Sequence, residues 1–443
     1  MDKRDLASNI AISLTNGTWS KDQVTAQLMR RFPKSLHRFS NQLSAELLAA
    51  CPTIYAPSAN AVQNVLQMSA IFERIFRYCQ RRNIWPNPVL VEPIMAPTAT
   101  FSELEIPQLP TVEALADWLL VPIDRIDYLA DPIGRHENHE VAAVNHYHYL
   151  LHPKKSGGLR LIEAPKHALK SIQRQILRGI LDKVPTHDDA FGFVRGRCCV
   201  GAAARHAGEQ VVVNFDLKDF FPSVGTGRVF GLFRCLGYPN TVAGLLTGLC
   251  TTRTPHRLLK RLNPADRAQY RERHLPQGAP TSPALANHVA FALDRRLAGL
   301  ARSIGANYSR YADDLSFSGD LQISATLLGI VPQIVHEEGL SLNPHKTHIM
   351  SAGSRQLVTN IVVNRHVNVT REKFDKIKAT IHACAKPDDE RLSDPVFRAK
   401  LLGQIGWVET VNPKRGLKLR KRAIEAIRKA TIRSPSRNTS TQI

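Results

Sequence analysis

Two neighbouring carboxylates, Asp313 and Asp314, stand inside an aromatic and β-favouring stretch over residues 308–319. The pattern predicts two short strands that fold back near Ala312 and Asp313. Adjacent carboxylates repel each other, and hard divalent cations such as Mg²⁺ prefer carboxylate oxygens while keeping positions open for water or phosphate. A metal site and a solvated acidic turn are therefore the two interpretations of this pair.

Two other Asp-Asp pairs in the same chain provide an internal comparison. Asp188-Asp189 and Asp388-Asp389 both stand in polar, loop-like sequence. The pair at 313–314 differs from them because it lies within a strand pattern. This contrast makes the pair a candidate metal site, and the solvated turn stays open as the alternative.

A third acidic residue ends another predicted strand. Asp216 follows the apolar, β-rich segment 211–215. A carboxylate at the point where a buried strand emerges is suited to bind a catalytic metal, although Asp also caps helices and turns. We therefore treat Asp216 as a candidate partner of the pair at 313–314.

Two Gly-rich turns are suited to contact phosphates. Residues 153–162 predict a hairpin with Lys154, Lys155 and two glycines at its tip, although Lys-Gly turns are also common on protein surfaces. Residues 275–283 predict a Gly/Pro-rich turn that opens a helix over 284–300, and such turns offer N–H groups to phosphates or base edges.

The composition indicates a globular protein with a polyanionic partner. Of the 443 residues 43% are hydrophobic, and 59 Lys and Arg against 38 Asp and Glu give a formal charge of +21. A surplus of this size favours phosphate backbones, and a membrane is the weaker alternative because no apolar run approaches a bilayer span. Since the seven cysteines form no Cys-x-x-Cys pair, we expect reduced thiols in a cytoplasmic protein without a secretory signal.

The elements around these motifs are predicted mainly from periodicity. Residues 1–90 are predicted to be helical, with apolar positions continuing at helical spacing over 61–76. A proline-rich segment over 86–110 predicts a linker, and Thr111 is suited to cap the helix that follows. The histidine-rich stretch 136–152 is interpreted as a strand entering a loop, with a metal site as its alternative.

Taken in order, these motifs resemble the palm motifs of reverse transcriptases. The order is an Asp at the end of a strand, a Gln-Gly-x-Pro-x-Ser-Pro turn and a Tyr-Ala-Asp-Asp hairpin. The bacterial retron group is the most similar, by Lys-Lys-Ser-Gly-Gly-Leu-Arg at 154–160, Asp-Leu-Lys-Asp-Phe-Phe-Pro-Ser at 216–223 and Gly-Leu-Ser-Leu-Asn-Pro-His-Lys-Thr at 339–347. The resemblance covers about residues 107–430.

Two positions depart from the retron pattern. The group's Asn-Ala-x-x-His corresponds here to residues 202–206, where Ala202 replaces the Asn and His206 remains. Its Val-Thr-Gly corresponds to 358–360, where Asn360 replaces the Gly. Because the resemblance associates both motifs with the retron's own RNA, we expect the recognition of RNA to differ, and not the polymerase chemistry.

The resemblance implies an α+β right-hand polymerase with a helical N-terminal extension. The implied parts are the extension and linker over 1–106, N-terminal helices and fingers over 107–210, the palm over 211–365, a helical thumb over 366–430 and a disordered tail over 431–443.

The same resemblance implies the roles of single residues. Asp216, Asp313 and Asp314 would be the catalytic carboxylates and would bind two Mg²⁺ ions together with Leu217. Phe221 matches the aromatic residue that crowds a ribose 2′-OH, and core packing is its alternative. The other implied nucleotide contacts are Lys154, Lys155, Arg160, Gln277 and Lys346, with Lys166 a further candidate; the implied RNA or template contacts are Gly278, His206, Lys414, Lys418 and Arg420.

The implied partners are an RNA template and primer, the DNA product, deoxynucleoside triphosphates and a structured non-coding RNA. An effector protein and a role in anti-phage defence are further implications of the resemblance. Two alternatives stay open: a defence-associated reverse transcriptase with another template or priming mode, and an RNA-binding scaffold without activity. The complete set of three carboxylates argues against the scaffold.

Overall fold

The computed structural model describes residues 2–52, 57–87, 92–131, 144–153, 158–386 and 388–433. In chain order the helices are α1 (Lys3–Thr15), α2 (Lys21–Arg31), α3 (His37–Ala50), α4 (Ala59–Met68), α5 (Ala70–Arg82), α6 (Val112–Leu119), α7 (Ile123–Ala130), α8 (His167–Gly179), α9 (Cys199–Ala204), α10 (Thr226–Cys235), α11 (Asn240–Cys250), α12 (His256–Leu259), α13 (Pro264–Arg271), α14 (Ser282–Val289), α15 (Phe291–Ser303), α16 (Ile323–Glu337), α17 (Arg371–Cys384), α18 (Pro395–Val411) and α19 (Pro413–Arg433). The strands are β1 (Tyr147–Pro153), β2 (Leu159–Pro165), β3 (Val211–Asp216), β4 (Asn307–Tyr311), β5 (Asp314–Gly319), β6 (His348–Ser351), β7 (Leu357–Val358) and β8 (Ile361–Val362).

The chain forms two compact units, and each contains two segments of sequence. The first unit consists of Met1–Thr186 and Asp219–Ala290. The second consists of His187–Lys218 and Phe291–Ile443. The predicted boundaries between fingers, palm and thumb stay a prediction.

The N-terminal part of the first unit is helical, as predicted. Helices α1 to α5 share a buried aliphatic core, and Ser58 and Ser69 accept hydrogen bonds from the first turns of α4 and α5. The continuous periodicity over 61–76 thus belongs to two helices, because Ser69 is extended and caps the second one. The predicted linker is bound to the rest of this unit, since the Ala96 amide donates to the Gly237 carbonyl over 2.9 Å.

The remainder of the first unit contains a two-stranded sheet and further helices. Strands β1 and β2 pair in antiparallel register from Tyr147 opposite Pro165 to Pro153 opposite Leu159. Helices α12 and α13 pack on this hairpin, because Leu259 and Tyr270 share an apolar cluster with Leu161. Lys154 and Lys155, at the predicted hairpin tip, lie outside the described residues.

The second unit is built on a four-stranded antiparallel sheet with the order β4-β5-β3-β6. Strand β3 is central and mostly buried, which explains why its sequence is mainly apolar, with Asn214 as the one polar residue before Asp216. Helices α15 and α16 contact each other, and they contact β4 and β3 respectively. The single helix predicted over 284–300 is in fact α14 and α15, which are separated at Ala290.

The C-terminal helices of the second unit have a shared core. Ile377, Ile405 and Leu419 from α17, α18 and α19 lie in one buried apolar cluster, which also contains residues of β7 and β8. Helix α19 continues to Arg433, so the start of the predicted tail at 431 was too early. The rest of that tail, residues 434–443, lies outside the described residues.

The predicted α+β class with N-terminal helices is confirmed by these elements. The cysteines at the seven positions are free thiols, as expected. Within the described ranges, no helix is long and apolar enough to cross a bilayer.

Candidate active site

The hairpin of β4 and β5 presents the Asp-Asp pair, as predicted. Tyr311 lies opposite Asp314 in the register, so Ala312 and Asp313 form the two-residue turn. Ala312 has a φ of 57°, in the left-handed region that side chains with a Cβ seldom adopt. The turn that positions the two carboxylates therefore contains an alanine in a backbone conformation that is rare for this residue.

The loop over residues 190–193 supports this turn from within the same unit. The Phe191 amide donates to the Arg310 carbonyl over 2.8 Å, and Ala190 forms a parallel bridge with Arg310. A Cβ at Gly192 would collide with the backbone nitrogen of Ala312. Only glycine allows this close approach of the loop to the hairpin of β4 and β5.

Strand β3 brings the third carboxylate to the pair. Asp216 lies directly opposite Asp314 in the antiparallel register. The Leu217 amide then donates to the Asp313 carbonyl over 2.8 Å, which fixes the turn against the end of β3. Because the side chain of Leu217 is apolar and buried, only its backbone carbonyl is suited to bind a cation.

Like charges meet at this end of the sheet. Burial, with further contributions from the carboxylates of Asp313 and Asp216, raises the pKa of Asp314 to about 6, and Lys346 offsets part of that rise. Lys346 Nζ lies 2.9 Å from each carboxylate oxygen of Asp216. The three carboxylates thus form a site where additional positive charge is stabilising.

The donor set suits a hard divalent cation. Carboxylate and carbonyl oxygens are the ligands that Mg²⁺ prefers, and it keeps water or phosphate oxygens in its remaining positions. In the described part of the chain, no three Asp, Glu, His or Cys side chains converge closely enough to hold an ion by themselves. Oxygen atoms from the substrate would therefore have to complete the coordination of a metal at Asp216, Asp313 and Asp314.

Lys346 lies beside the Asp216 carboxylate, although the two residues are 130 positions apart in sequence. It belongs to a short turn of helix after β5 and α16, and the preceding Asn343 amide donates to the Asp216 carbonyl over 2.8 Å. Its side chain is about half exposed, at 47%. A half-exposed lysine side chain beside Asp216 is suited to contact a phosphate, and the contact of Lys346 with a nucleotide stays a prediction.

The predicted nucleotide contacts of the first unit are only partly described. Arg160 is exposed on β2. Phe220 is 4% exposed and packs in the core, whereas its neighbour Phe221 is only half-buried. Phe221 is therefore the ring that remains accessible to a ligand, and its role as a selector of sugars stays a prediction.

The Gln277-Gly278 turn lies against strand β2. The Glu163 amide donates to the Gln277 carbonyl over 2.9 Å. Gly278 has a φ of 129°, and a Cβ there would lie 3.2 Å from the Glu163 carbonyl oxygen. Both conditions favour glycine, so the turn brings its exposed backbone close to β2.

Comparison with known proteins supports the interpretation of these motifs. Residues 152–384 match the sequence model of the family described as reverse transcriptase (RNA-dependent DNA polymerase). The retron Mx65 reverse transcriptase of Myxococcus xanthus is 42% identical over 289 residues, which are 63% of this chain and 64% of that protein. The retron Mx162 reverse transcriptase of the same organism is 35% identical over 326 residues, which are 70% of this chain and 65% of that protein.

A third relative is covered almost completely. The retron Ec73 reverse transcriptase of Escherichia coli is 31% identical over 291 residues, which are 59% of this chain and 89% of that protein. The chain belongs to the retron reverse transcriptases. The predicted reverse transcriptase fold is thereby confirmed, although the chain spans only 64% and 65% of the two Myxococcus relatives.

His206 contradicts the prediction that it contacts RNA. The side chain is completely buried, and its two ring nitrogens lie 2.8 Å from the hydroxyls of Ser318 and Ser309. Burial, and to a lesser degree the charge of Arg205, lowers the pKa of His206 to about 3, so the ring is neutral at physiological pH. His206 therefore joins α9 to the sheet and cannot reach RNA in this conformation.

The two departures from the retron pattern lie on neighbouring elements. Helix α9 contacts β7 and β8, and Thr359 Oγ1 donates to the Cys199 carbonyl over 3.2 Å. Asn360 has a φ of 63° in the hairpin turn, where asparagine is one of the few residues that can replace glycine. Ala202 is buried and Asn360 is exposed, so only Asn360 is suited to contact RNA directly.

The predicted cations of the thumb differ in their surroundings. Lys414 and Lys418 are exposed at the start of α19. Arg420 instead forms a bidentate ion pair with Glu409 between α19 and α18, in which Nε donates to Oε1 over 2.6 Å. Arg420 is therefore a link between two helices, and the predicted contact with template stays a prediction for the two lysines.

Sequence reasoning missed two buried acidic residues. Glu163, on β2, binds His274 and Thr254, and Asp294, on α15, binds Arg310. The signal for Glu163 was available, because it occupies an inward position of an alternating strand where an apolar residue is expected. His274 lies at the end of a segment rich in Arg and Lys over residues 253–274, yet it is 1% exposed.

Proposed function

We propose that this protein is an RNA-directed DNA polymerase that copies a structured RNA into DNA by a two-metal mechanism. The observation that carries the proposal is the register of Asp216 with Asp314, next to Asp313, in a chain of the retron family. Three carboxylates at one sheet end serve no evident packing purpose and raise the electrostatic cost of folding. That cost is accounted for if a cation and a nucleotide occupy the site during the reaction.

The carboxylates bind and position the reacting groups. Asp216 and Asp313 would hold the ions, and Asp314 completes the negative charge that attracts them. When bound, Mg²⁺ activates the primer hydroxyl and neutralises the triphosphate and the leaving pyrophosphate. Asp314 must be ionised for this purpose, and its raised pKa means that it gains this form only above about pH 6 in the metal-free protein.

The cations complement the substrate's negative charge. Lys346 faces Asp216 in the absence of substrate, and its half-exposed ammonium group is suited to contact the triphosphate and to donate a proton to pyrophosphate. Arg160 would bind the triphosphate from β2, together with Lys154 and Lys155. Phe221 would crowd a 2′-hydroxyl and so select deoxynucleotides.

The nucleic-acid partners follow from charge and family. A formal charge of +21 favours a polyanion, but contacts to phosphates do not read sequence. Specificity for an RNA must therefore come from its shape, its single-stranded bases and its 2′-hydroxyls. Because Ala202 and Asn360 depart from the retron pattern, we propose that the enzyme primes on an RNA encoded beside its own gene and uses other retron RNAs poorly.

The test is to express the protein together with the DNA that flanks its gene and to isolate the nucleic acid that copurifies. We expect a short DNA covalently joined to RNA, present with the wild type and lost with Asp313→Asn. Abundant DNA without linked RNA would instead favour a defence-associated polymerase with another priming mode. No DNA from either protein would contradict the proposed activity.

A further inference from the structure

A buried carboxylate joins the elements of the first unit that would bind the nucleotide. Glu163 is completely buried on β2, three residues after Arg160, in a strand whose other inward positions include Leu161 and Pro165. A buried carboxylate is costly unless it has hydrogen bonds, so its partners reveal what it stabilises.

Two side chains from distant parts of the sequence bind the Glu163 carboxylate. Thr254 Oγ1 donates to Oε1 over 2.8 Å. His274 Nε2 lies 2.9 Å from Oε2, and His274 Nδ1 lies 2.8 Å from the Glu272 carbonyl oxygen. Because a carbonyl only accepts, Nδ1 carries a proton, and a second proton is shared between Nε2 and the carboxylate.

His274 is the residue from which the chain enters the Gln277-Gly278 turn. Its backbone exchanges hydrogen bonds of 2.9 and 3.0 Å with Thr252, and the next amide, that of Leu275, donates to the Val224 carbonyl over 3.1 Å. The Val224 amide in turn donates to the Phe221 carbonyl over 3.1 Å. The segment with His274 is therefore bonded to the turn that carries Phe221.

The backbone of Glu163 makes a separate contact with the same turn. Its amide donates to the Gln277 carbonyl, and its carbonyl oxygen would lie 3.2 Å from a Cβ at position 278. Glu163 thus contacts the Gln277-Gly278 turn directly through its backbone and indirectly through His274. One residue sets the position of that turn relative to Arg160 on β2.

We propose that Glu163 and His274 are positioning residues that hold Arg160, Phe221 and the Gln277-Gly278 turn in one arrangement for the incoming deoxynucleotide. An apolar pair of similar volume would fill the same space with equal or better stability. What the hydrogen-bonded pair adds is direction, since each carboxylate oxygen has one fixed partner. The inference rests on the proposed function, because it assigns a purpose to these three elements.

The kinetic test compares three variants in single-nucleotide extension of a DNA primer on an RNA template. Glu163→Ala removes both hydrogen bonds, and we expect the KM for the deoxynucleotide to rise about tenfold while kcat changes by less than about threefold. Glu163→Gln keeps the shape, and its amide can accept from Thr254 and donate to His274. We therefore expect Glu163→Gln to stay within about twofold of the wild-type KM.

A matched control separates positioning from loss of stability. Arg234, 6% exposed in the same unit, donates to the Thr15 and Tyr238 carbonyls, and Arg234→Met breaks that buried network without touching Glu163. We expect Arg234→Met to lower the melting temperature and to leave the KM unchanged. An unchanged KM in Glu163→Ala, or an equal rise in Arg234→Met, would overturn the inference.

A second measurement does not depend on polymerase activity. Hydrogen exchange of the full chain measures the exchange rates of the Glu163 and Leu275 amides. We expect both amides to exchange at least about tenfold faster in Glu163→Ala than in Glu163→Gln. Equal exchange in the two variants would overturn the inference even if the wild type makes no DNA. If the wild type makes no DNA, only the proposed function is refuted. The exchange rates of the two amides still test whether Glu163 is a positioning residue.

Discussion

Two acidic sites in the second unit lie on adjoining parts of the sheet and its helices, and they are built in opposite ways. Asp294 is completely buried, and both of its carboxylate oxygens receive hydrogen bonds from Arg310 at 2.7 and 2.6 Å, with a third bond of 2.8 Å from the Tyr308 hydroxyl. Asp313 and Asp314 are only partly buried, and beside Asp216 they face other carboxylates.

The difference separates a structural carboxylate from a functional one. Asp294 has a fixed charge partner with matching geometry, so its charge is compensated within the protein. The raised pKa of Asp314, caused first by burial and then by Asp313 and Asp216, shows that the charge at the hairpin is compensated only in part. A carboxylate whose ionised form is disfavoured by its own fold is a candidate ligand for a cation.

The largest expected effect is on DNA synthesis. Asp313→Asn or Asp314→Asn should lower the rate of primer extension at least about a thousandfold, because in the proposed mechanism these oxygens would position the ions that neutralise the triphosphate. Asp188→Asn is the matched control, since Asp188 also belongs to an Asp-Asp pair of this unit but its side chain is 94% exposed. Comparable losses in Asp188→Asn and Asp313→Asn would show that the site was assigned wrongly.

Loss of the ion pair at the structural carboxylate, Asp294, should lower the stability of the protein and should not act on the chemical step. Arg310→Met leaves Asp294 buried without its cation, and the free energy of unfolding should fall by about 3–5 kcal/mol. Urea-induced unfolding measures this loss, and the double variant Asp294→Leu, Arg310→Met should recover most of it. A loss below about 1 kcal/mol would remove the contrast between the two sites.

A smaller effect is expected on the choice of sugar. Phe221 is half-buried beside the buried Phe220, with ring centroids 5.8 Å apart. Phe221→Val should raise the ratio of ribonucleotide to deoxynucleotide incorporation about tenfold or more, because the smaller side chain leaves room for a 2′-hydroxyl. Phe220→Leu serves as the control for core packing, and an equal change of the ratio there would assign Phe221 to the core.

The smallest effect is the contribution of Asp314 to the pH dependence of stability. Its pKa is about 6 in the folded protein and near 3.9 when unfolded, so the folded state binds the proton more tightly. This contribution is present in full below about pH 4 and is lost as pH rises through about 6, on the order of 2 kcal/mol. Metal-free unfolding at pH 4.5 and 7.5 should therefore show a smaller difference for Asp314→Asn than for the wild type.

Much of the site could be predicted from the sequence because its signals are local. The strand pattern around Asp313 and the apolar run before Asp216 predicted both elements, and the order of the motifs identified the family. The pairing of Glu163 with His274 could not be predicted, since the two residues are 111 positions apart and only the fold brings them together. His206 was misassigned for a related reason, because a motif shows that a residue matters but not whether it faces RNA or the core.

The predicted helix boundaries were wrong where a capping residue begins a new helix within a continuous apolar periodicity. Apolar positions continue across Ser69, yet the serine side chain accepts a hydrogen bond from the Phe72 amide and begins a new helix. Arg420 illustrates the corresponding limit for charge. Its cation was predicted to face nucleic acid, but Glu409 on the preceding helix binds it.

The most direct test of the functional site is thermal unfolding of wild type, Asp314→Asn and Asp188→Asn at pH 7.5, first without divalent cations and then with Mg²⁺ and a deoxynucleotide. Without metal, Asp314→Asn should melt above the wild type, because the substitution removes one of three repelling charges, and Asp188→Asn should match the wild type. With Mg²⁺ and nucleotide, the wild type and Asp188→Asn should gain stability and Asp314→Asn should gain less. The account is contradicted if Asp314→Asn melts below the wild type without metal, or if its melting temperature rises as much with Mg²⁺ and nucleotide. The carboxylates would then not be a cation-binding site.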